Sequence, residues 1–198
     1  MGKLLDIQII TKIKKAKRGS VFFAKDFLKF GNSKTISKTL ERLVKKEQLT
    51  RVARGIYSLL KKHPLLGEIH PPTEELALAI AKRDKARIIP TGVTALNALG
   101  LSTQIPMNLV YLTDGAARKI KLGNKTIKFK KTSPKNLAAI GKISSLVIQA
   151  LKEIGKDNIE SEEEELILKH LKNEDSYRLE HDIKLAPEWI RIIMRKAL

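Results

Sequence analysis

Nine side chains between residues 34 and 57 are of the types that hold phosphates and base edges: Lys34, Thr35, Ser37, Lys38, Arg42, Lys45, Arg51, Arg54 and Tyr57. Lysine and arginine neutralise phosphates, and hydroxyl groups donate hydrogen bonds to phosphates or bases. The chemistry that this set predicts is therefore the binding of a nucleic acid and not a reaction. The charge around it agrees, since residues 1–60 carry 15 basic and 4 acidic side chains.

Four further lysines alternate with apolar residues in a second stretch, residues 118–131. Gly123 and Asn124 form a two-residue loop between two predicted strands, which puts the apolar residues on one face. The other face is a second basic surface made of Lys119, Lys121, Lys128 and Lys130. It suits a second nucleic-acid contact, or docking of an acidic or RNA-linked partner, because no acidic residue occurs between positions 115 and 151. An edge hairpin protected from aggregation by its lysines is an equally good interpretation.

The first basic set requires a rigid element, and the apolar spacing predicts one. Ile36, Leu40, Leu43 and Val44 recur at helical intervals, which favours a helix over about residues 34–47. The opposite side of that helix carries the cations, with Glu41 among them and Thr35 and Ser37 flanking. Such a face fits a major groove.

The elements around this helix complete a recognisable order. Leu5, Ile9, Ile10 and Ile13 predict a first helix, residues 20–23 a short strand, and residues 24–30 a second helix with Phe27 and Leu28 facing inward. Alternation over residues 49–59 predicts a two-stranded ribbon. This order is typical of a winged helix-turn-helix, in which the third helix reads the groove and Arg51 and Arg54 reach phosphates from the wing. A lone basic helix is more often an ordinary solvated face; here the element order and the local charge favour DNA.

The rest of the chain predicts a mixed α/β body that ends in a helical cluster. Three prolines and Gly67 within residues 63–72 indicate a linker. A helix then begins at Thr73, short buried strands follow at residues 87–90 and 108–112, and helical patterns dominate from about residue 141. The predicted fold class is α+β, with a winged helix-turn-helix at 1–62, a linker at 63–72 and a second domain at 73–198.

Composition excludes several classes of function. A net charge of +18 favours a polyanionic partner, and the absence of cysteine rules out disulfides and thiolate metal sites. Asp114 faintly resembles part of a nuclease core, but the matching strand lacks a second carboxylate, so metal-dependent cleavage is disfavoured. Phosphate loops and nucleophile elbows are missing. We expect no enzyme activity, no cofactor, no metal and no membrane partner, and a cytoplasmic location.

Several linked segments resemble the AbiEi family of bacterial antitoxins and related regulators. They are the wing segment VARGIYSL at 52–59, the helix start at Pro72 to Glu75, Pro90, ALNALGLSTQ at 95–104, VYLTDG at 110–115 and KLGNKTIKFKK at 121–131. The resemblance covers roughly residues 49–140, and more weakly the whole chain.

The resemblance implies a role that the residues alone do not. Members of that family are antitoxins of type IV abortive-infection systems, which repress their own operon by binding double-stranded operator DNA through the N-terminal winged helix. Their functional partner is a nucleotidyltransferase-like toxin, and direct contact with it is not required. The alternative is an inhibitory module that neutralises a toxin or enzyme by direct contact without operator binding.

Overall fold

The computed structural model describes residues 2–65 and 67–198, and the chain divides into two compact units, Met1–Ala79 and Ile80–Leu198. The predicted α+β class is confirmed. None of the helices in the described residues combines the length and the apolar character that crossing a bilayer requires.

The first unit is built on three helical segments that share one core. They are α1 (Gly2–Lys15), a 3-10 helix (Ala24–Phe30) and α2 (Ser33–Lys45). Ile9 and Ile13 of α1 pack with Phe27 and with the apolar side of α2, and all of these side chains are almost completely buried. The second helix was predicted to bury both Phe27 and Leu28, and this is wrong for Leu28, which is 49% exposed.

A three-stranded sheet closes this unit. Its strands are β1 (Val21–Phe23), β2 (Thr50–Ala53) and β3 (Ile56–Ser58), and their order is β1-β3-β2 with both pairings antiparallel. Arg54 and Gly55 form the turn between β2 and β3, and Gly55 has a φ of 73°, which glycine adopts without steric cost. The ribbon predicted from alternation is therefore present.

The segment predicted as a linker is partly ordered. A small antiparallel hairpin overlaps its start, with strands β4 (Lys61–His63) and β5 (Gly67–Ile69), and the residues of both strands are exposed. Because the residues of these two strands are all exposed, no alternating apolar pattern predicted them. Helix α3 (Thr73–Asp84) follows, and the division between the two units falls within it.

The second unit contains a four-stranded mixed sheet. Strands β6 (Ile88–Thr91), β7 (Asn108–Thr113), β8 (Arg118–Leu122) and β9 (Lys125–Lys131) lie in the order β6-β7-β9-β8. The β7–β9 pair is parallel and the other two pairs are antiparallel. Helix α4 (Val93–Ala98) connects β6 to β7, and a 3-10 helix (Pro134–Leu137) follows β9.

Four helices form the predicted C-terminal cluster. They are α5 (Lys142–Ile154), α6 (Ser161–Leu171), α7 (Ser176–Ile183) and α8 (Glu188–Arg195), and they enclose a core that includes Val147, Leu151 and Ile190. The start of α6 is capped by Glu163, whose carboxylate accepts a hydrogen bond from the Glu160 backbone N–H at 3.1 Å.

Two carboxylates from later in the chain cap the start of α5. Asp182 is completely buried and accepts hydrogen bonds from the backbone N–H groups of Ile140 (2.9 Å) and Gly141 (2.8 Å) and from the Ser144 hydroxyl. Glu174 accepts from the backbone N–H of Ile143 at 2.6 Å. A side chain at Gly141 would meet both carboxylates within 3 Å, so this position requires glycine.

Candidate nucleic-acid interface

Helix α2 presents two opposite faces. Ile36, Leu40 and Leu43 are completely buried, as the helical spacing predicted, while Val44 is only half-buried. The start of the helix is fixed by Asn32, whose side-chain oxygen accepts hydrogen bonds from both the N–H and the hydroxyl of Thr35 at 2.9 Å. This cap satisfies an N–H group that would otherwise lack a partner in the first turn. The helix is therefore held rigidly by its underside and its cap.

Most of the predicted contact residues lie on the solvent side. The exposed ones are Lys34, Thr35, Lys38, Lys45, Arg51 and Arg54, and Ser37 is half-buried. Within residues 2–65 and 67–198, none of the three lysines of α2 and neither arginine of the ribbon takes part in an ion pair. The structure thus brings together a cationic helix face and a ribbon with two unpaired guanidinium groups.

Arg42 has a structural partner that the sequence did not indicate. Its guanidinium donates to both carboxylate oxygens of Asp6 in α1, through Nε at 3.0 Å and through a second, shorter hydrogen bond. The same group also donates to the Thr39 hydroxyl at 3.2 Å. A two-pronged arginine–carboxylate pair is both strong and geometrically specific. Arg42 therefore ties α2 to α1, while its contact with groove and phosphate stays a prediction, since the side chain is still 41% exposed.

The Asp6–Arg42 pair predicts an acid-sensitive first unit. The hydrogen bond from Arg42 is the main cause of a lowered Asp6 pKa, with partial burial opposing it. A carboxyl whose folded pKa is depressed stabilises the protein above its unfolded value of about 3.9 and loses that contribution as pH falls through the folded pKa.

We therefore expect Asp6→Asn to be less stable than the parent protein at neutral pH, and the two to converge in stability well below the unfolded pKa. Thermal melting followed by circular dichroism across this range measures the effect. Asp157→Asn, at an exposed position of the same residue type, is the control. A melting difference between parent and Asp6→Asn that stays constant with pH would contradict the assignment.

Tyr57 also differs from expectation. It was predicted to support DNA contact from the wing, but its side chain is only 5% exposed and packs in the core of the first unit. Burial is the main cause of its raised pKa, with Arg51 lowering it and Glu41 raising it. In the sheet, Tyr57 lies opposite Phe22 on one side and Arg51 on the other. Tyr57 therefore contributes to the core of the first unit, next to Arg51 in the sheet.

A shallow pocket separates α2 from the ribbon. It has a volume of about 240 Å³ and is lined by Glu41, Val44, Lys45, Arg51 and Tyr57. Glu41 is exposed and has no ion pair within the described residues. A carboxylate among cations opposes phosphate binding but accepts hydrogen bonds from the amino group of cytosine. Glu41 was not among the predicted contact residues, and it lies in this pocket beside Lys45 and Arg51.

The second basic surface has the predicted geometry. Lys119 lies opposite Lys128, and Ile120 lies opposite Ile127, across the antiparallel β8–β9 pair. Strand register therefore puts Lys119, Lys121, Lys128 and Lys130 on one face, which we call the lysine face. All four are exposed, while Ile127 and Phe129 on the other face are buried.

Asp114 is paired with Arg87. Its carboxylate accepts hydrogen bonds from the backbone N–H and the Nε of Arg87, each at 2.8 Å, and this pairing is the main cause of its lowered pKa. Across residues 2–65 and 67–198, no group of three histidine or acidic side chains is arranged to hold a metal ion.

Comparison with known proteins adds a family. No curated protein sequence matches the chain. The crystal structure of the RV2827C protein from Mycobacterium tuberculosis aligns with 98% of this chain and 82% of its own, at 11% identity and a TM-score of 0.46, a level that supports no functional comparison. The model of a family of unknown function, DUF6088, matches residues 8–179, well over half of the chain. The chain therefore belongs to the family of unknown function DUF6088.

Proposed function

We propose that the first unit is a winged helix-turn-helix that binds double-stranded operator DNA, and that the protein is the autorepressor and antitoxin of a bacterial toxin–antitoxin operon. One observation carries the DNA-binding part: an exposed row of unpaired lysines on α2, whose apolar side is completely buried, stands beside a ribbon with two unpaired arginines. The order of elements and the β1-β3-β2 sheet support the same interpretation.

In this proposal the position of each residue determines its role in DNA binding. Lys34, Lys38 and Lys45 neutralise phosphates beside the groove, and Arg51 and Arg54 do so from the wing. Glu41 lies where α2 meets the ribbon and reads a base edge. Arg42 keeps α2 aligned by its pair with Asp6. The protein would act in the cytoplasm, on the DNA of its own operon.

The antitoxin part depends on the resemblance to the AbiEi family. It implies a nucleotidyltransferase-like toxin as the functional partner, without a requirement for direct contact. The direct-contact alternative would use exposed apolar side chains of the C-terminal helices, such as Tyr177, which is 74% exposed, and Ile192, which is 55% exposed. Purification of the protein with the product of the neighbouring gene separates the two, since only the direct-contact alternative predicts stable co-elution.

The DNA-binding part is tested with the duplex upstream of the protein's own reading frame. Each lost phosphate contact lowers the salt slope of log K by about 0.9, so the triple change Lys34→Gln, Lys38→Gln and Lys45→Gln lowers it by about 2.7. We expect the operator affinity to fall by more than about tenfold, or about 1.4 kcal/mol. Fluorescence anisotropy at several salt concentrations measures both quantities.

The matched control removes the same charge from the C-terminal helical cluster. Lys156, Lys169 and Lys172 are exposed there, and none has an ion pair in the described part of the chain. Their change to glutamine should leave the operator affinity within about twofold of the parent. Equal losses in the two triple variants would show that only net charge matters, and the assignment of α2 would then be wrong.

A further inference from the structure

The lysine face lacks any internal compensation for its charge. Its four ammonium groups form no ion pair within residues 2–65 and 67–198, and the chain has no acidic residue between positions 115 and 151. The strand register also sets Lys119 directly opposite Lys128. Like charges directly opposite each other in a sheet are destabilising. The fold therefore keeps this arrangement at a cost in stability.

Protection of a sheet edge does not account for the arrangement. Lysines guard an edge when they lie on the outermost strand. Strand β8 is such an edge, but β9, which carries Lys128 and Lys130, lies between β7 and β8. Half of the lysine face is thus on an interior strand, where both sides of the backbone are already paired.

The neighbouring part of the same sheet face adds cations. Ile89 and Leu112 are paired, as are Leu112 and Lys130, so Ile89 lies on the side of the lysine face. Helix α5 covers this β6 end: Thr91 donates to Gln149 at 3.3 Å, and Lys135 and Lys152 line a small cavity with Ile89. Burial, followed by the charge of Lys135, lowers the pKa of Lys152. The cavity at the β6 end of this face is thus lined by two further lysines, and the Glu153 carboxylate lies beside Gly92 at the same end.

The residue types on the lysine face indicate which kind of polyanion it binds. Protein interfaces are enriched in aromatic residues and arginine and depleted in lysine, whereas the lysine face has lysine alone as its charged or aromatic type. Binding of single strands depends on aromatic side chains that stack on bases, and the face offers none. Alternate residues of a strand are about 6.7 Å apart. That spacing is close to the separation of successive phosphates along B-form DNA and longer than in A-form RNA.

We propose that the lysine face is a second DNA-binding surface, which holds the phosphate backbone of duplex DNA without reading its sequence. It does not depend on the proposed function of α2, because it belongs to a different unit and involves different side chains. Its binding is electrostatic, so it falls steeply with salt and is equal for unrelated sequences.

The test uses the full-length protein and a random duplex that lacks the upstream operator sequence. The quadruple change of Lys119, Lys121, Lys128 and Lys130 to glutamine should lower the salt slope by about 3.6, at about 0.9 for each contact. The matched control is the change of Lys156, Lys169, Lys172 and Lys184, exposed lysines of the C-terminal helical region, to glutamine. A salt slope equal to that of the control would overturn the proposal.

Three further measurements distinguish DNA binding by the lysine face from loss of folding, from RNA binding and from binding of an acidic peptide. Thermal melting should show the quadruple variant to be at least as stable as the parent, because the Lys119–Lys128 repulsion is gone, so lost binding is not lost folding. Duplex RNA that binds the face more tightly than duplex DNA would overturn the choice of DNA. A poly-glutamate peptide whose binding alone depends on the face would overturn the choice of a nucleic acid. If the α2 triple variant bound operator DNA as tightly as the parent, the function proposed for α2 would be wrong. The results for the lysine face would still stand.

Discussion

Asp182→Ala is expected to destabilise the second unit by about 3–5 kcal/mol. Charged hydrogen bonds contribute about 1.5–3 kcal/mol each, and removal of one partner leaves buried donors without an acceptor. Here the donors include two backbone N–H groups ahead of α5 and the buried Ser144 hydroxyl, and the His181 Nδ1 also lies 2.8 Å from the carboxylate. Urea unfolding followed by tryptophan fluorescence measures the loss, because Trp189 is the single tryptophan and packs against the core of this unit.

Asp157→Ala provides the matched control. Asp157 is exposed and has no ion pair or hydrogen bond in the described residues. Its loss should change the free energy of unfolding by less than about 0.5 kcal/mol. A comparably small change for Asp182→Ala would show that the start of α5 does not depend on the carboxylate.

Leu40→Ala is expected to destabilise the first unit by about 2–5 kcal/mol, through lost burial and the cavity left behind. Leu40 is completely buried on the underside of α2, so the cavity would open directly beneath the lysine row. Hydrogen exchange of α2 amides measures the effect, since the first unit has no tryptophan. The fluorescence transition of Trp189 in the second unit should remain in place.

Leu28→Ala makes the same chemical change in the same unit. Because Leu28 is 49% exposed, its truncation should cost less than about 1 kcal/mol. Equal effects of the two changes on α2 exchange would contradict the view that the buried underside holds the helix.

Local periodicity was enough to predict the elements that carry the basic surfaces. The spacing of Ile36, Leu40 and Leu43 predicted both the helix and its buried side, and these residues are completely buried. The alternation around Gly123 and Asn124 predicted the hairpin and the face of each lysine, and the strand register agrees. Both patterns are short-range, so one segment contains all the information.

The features that the sequence did not predict depend on residues distant in the chain or on the type of helix that forms. Asp6 is 36 residues from Arg42, so no local pattern could reveal that this arginine is paired. Leu28 points outward because a 3-10 helix aligns residues three apart, which puts Phe27 and Phe30 on one side. Tyr57 was assigned to the wing by chemistry alone, whereas its neighbours in the sheet bury it.

The caps of α5 also determine when this helix start can form during synthesis of the chain. The acceptor for the Gly141 N–H lies 41 residues further along the chain, so the ribosome adds it roughly 2–8 s later, at 5–20 residues per second. Until then the backbone N–H groups of Ile140 and Gly141, just ahead of α5, lack the Asp182 carboxylate. The second unit can therefore complete its folding only once the last two helices have been synthesised. A chain that ends before residue 174 would lack both carboxylates that cap the start of α5.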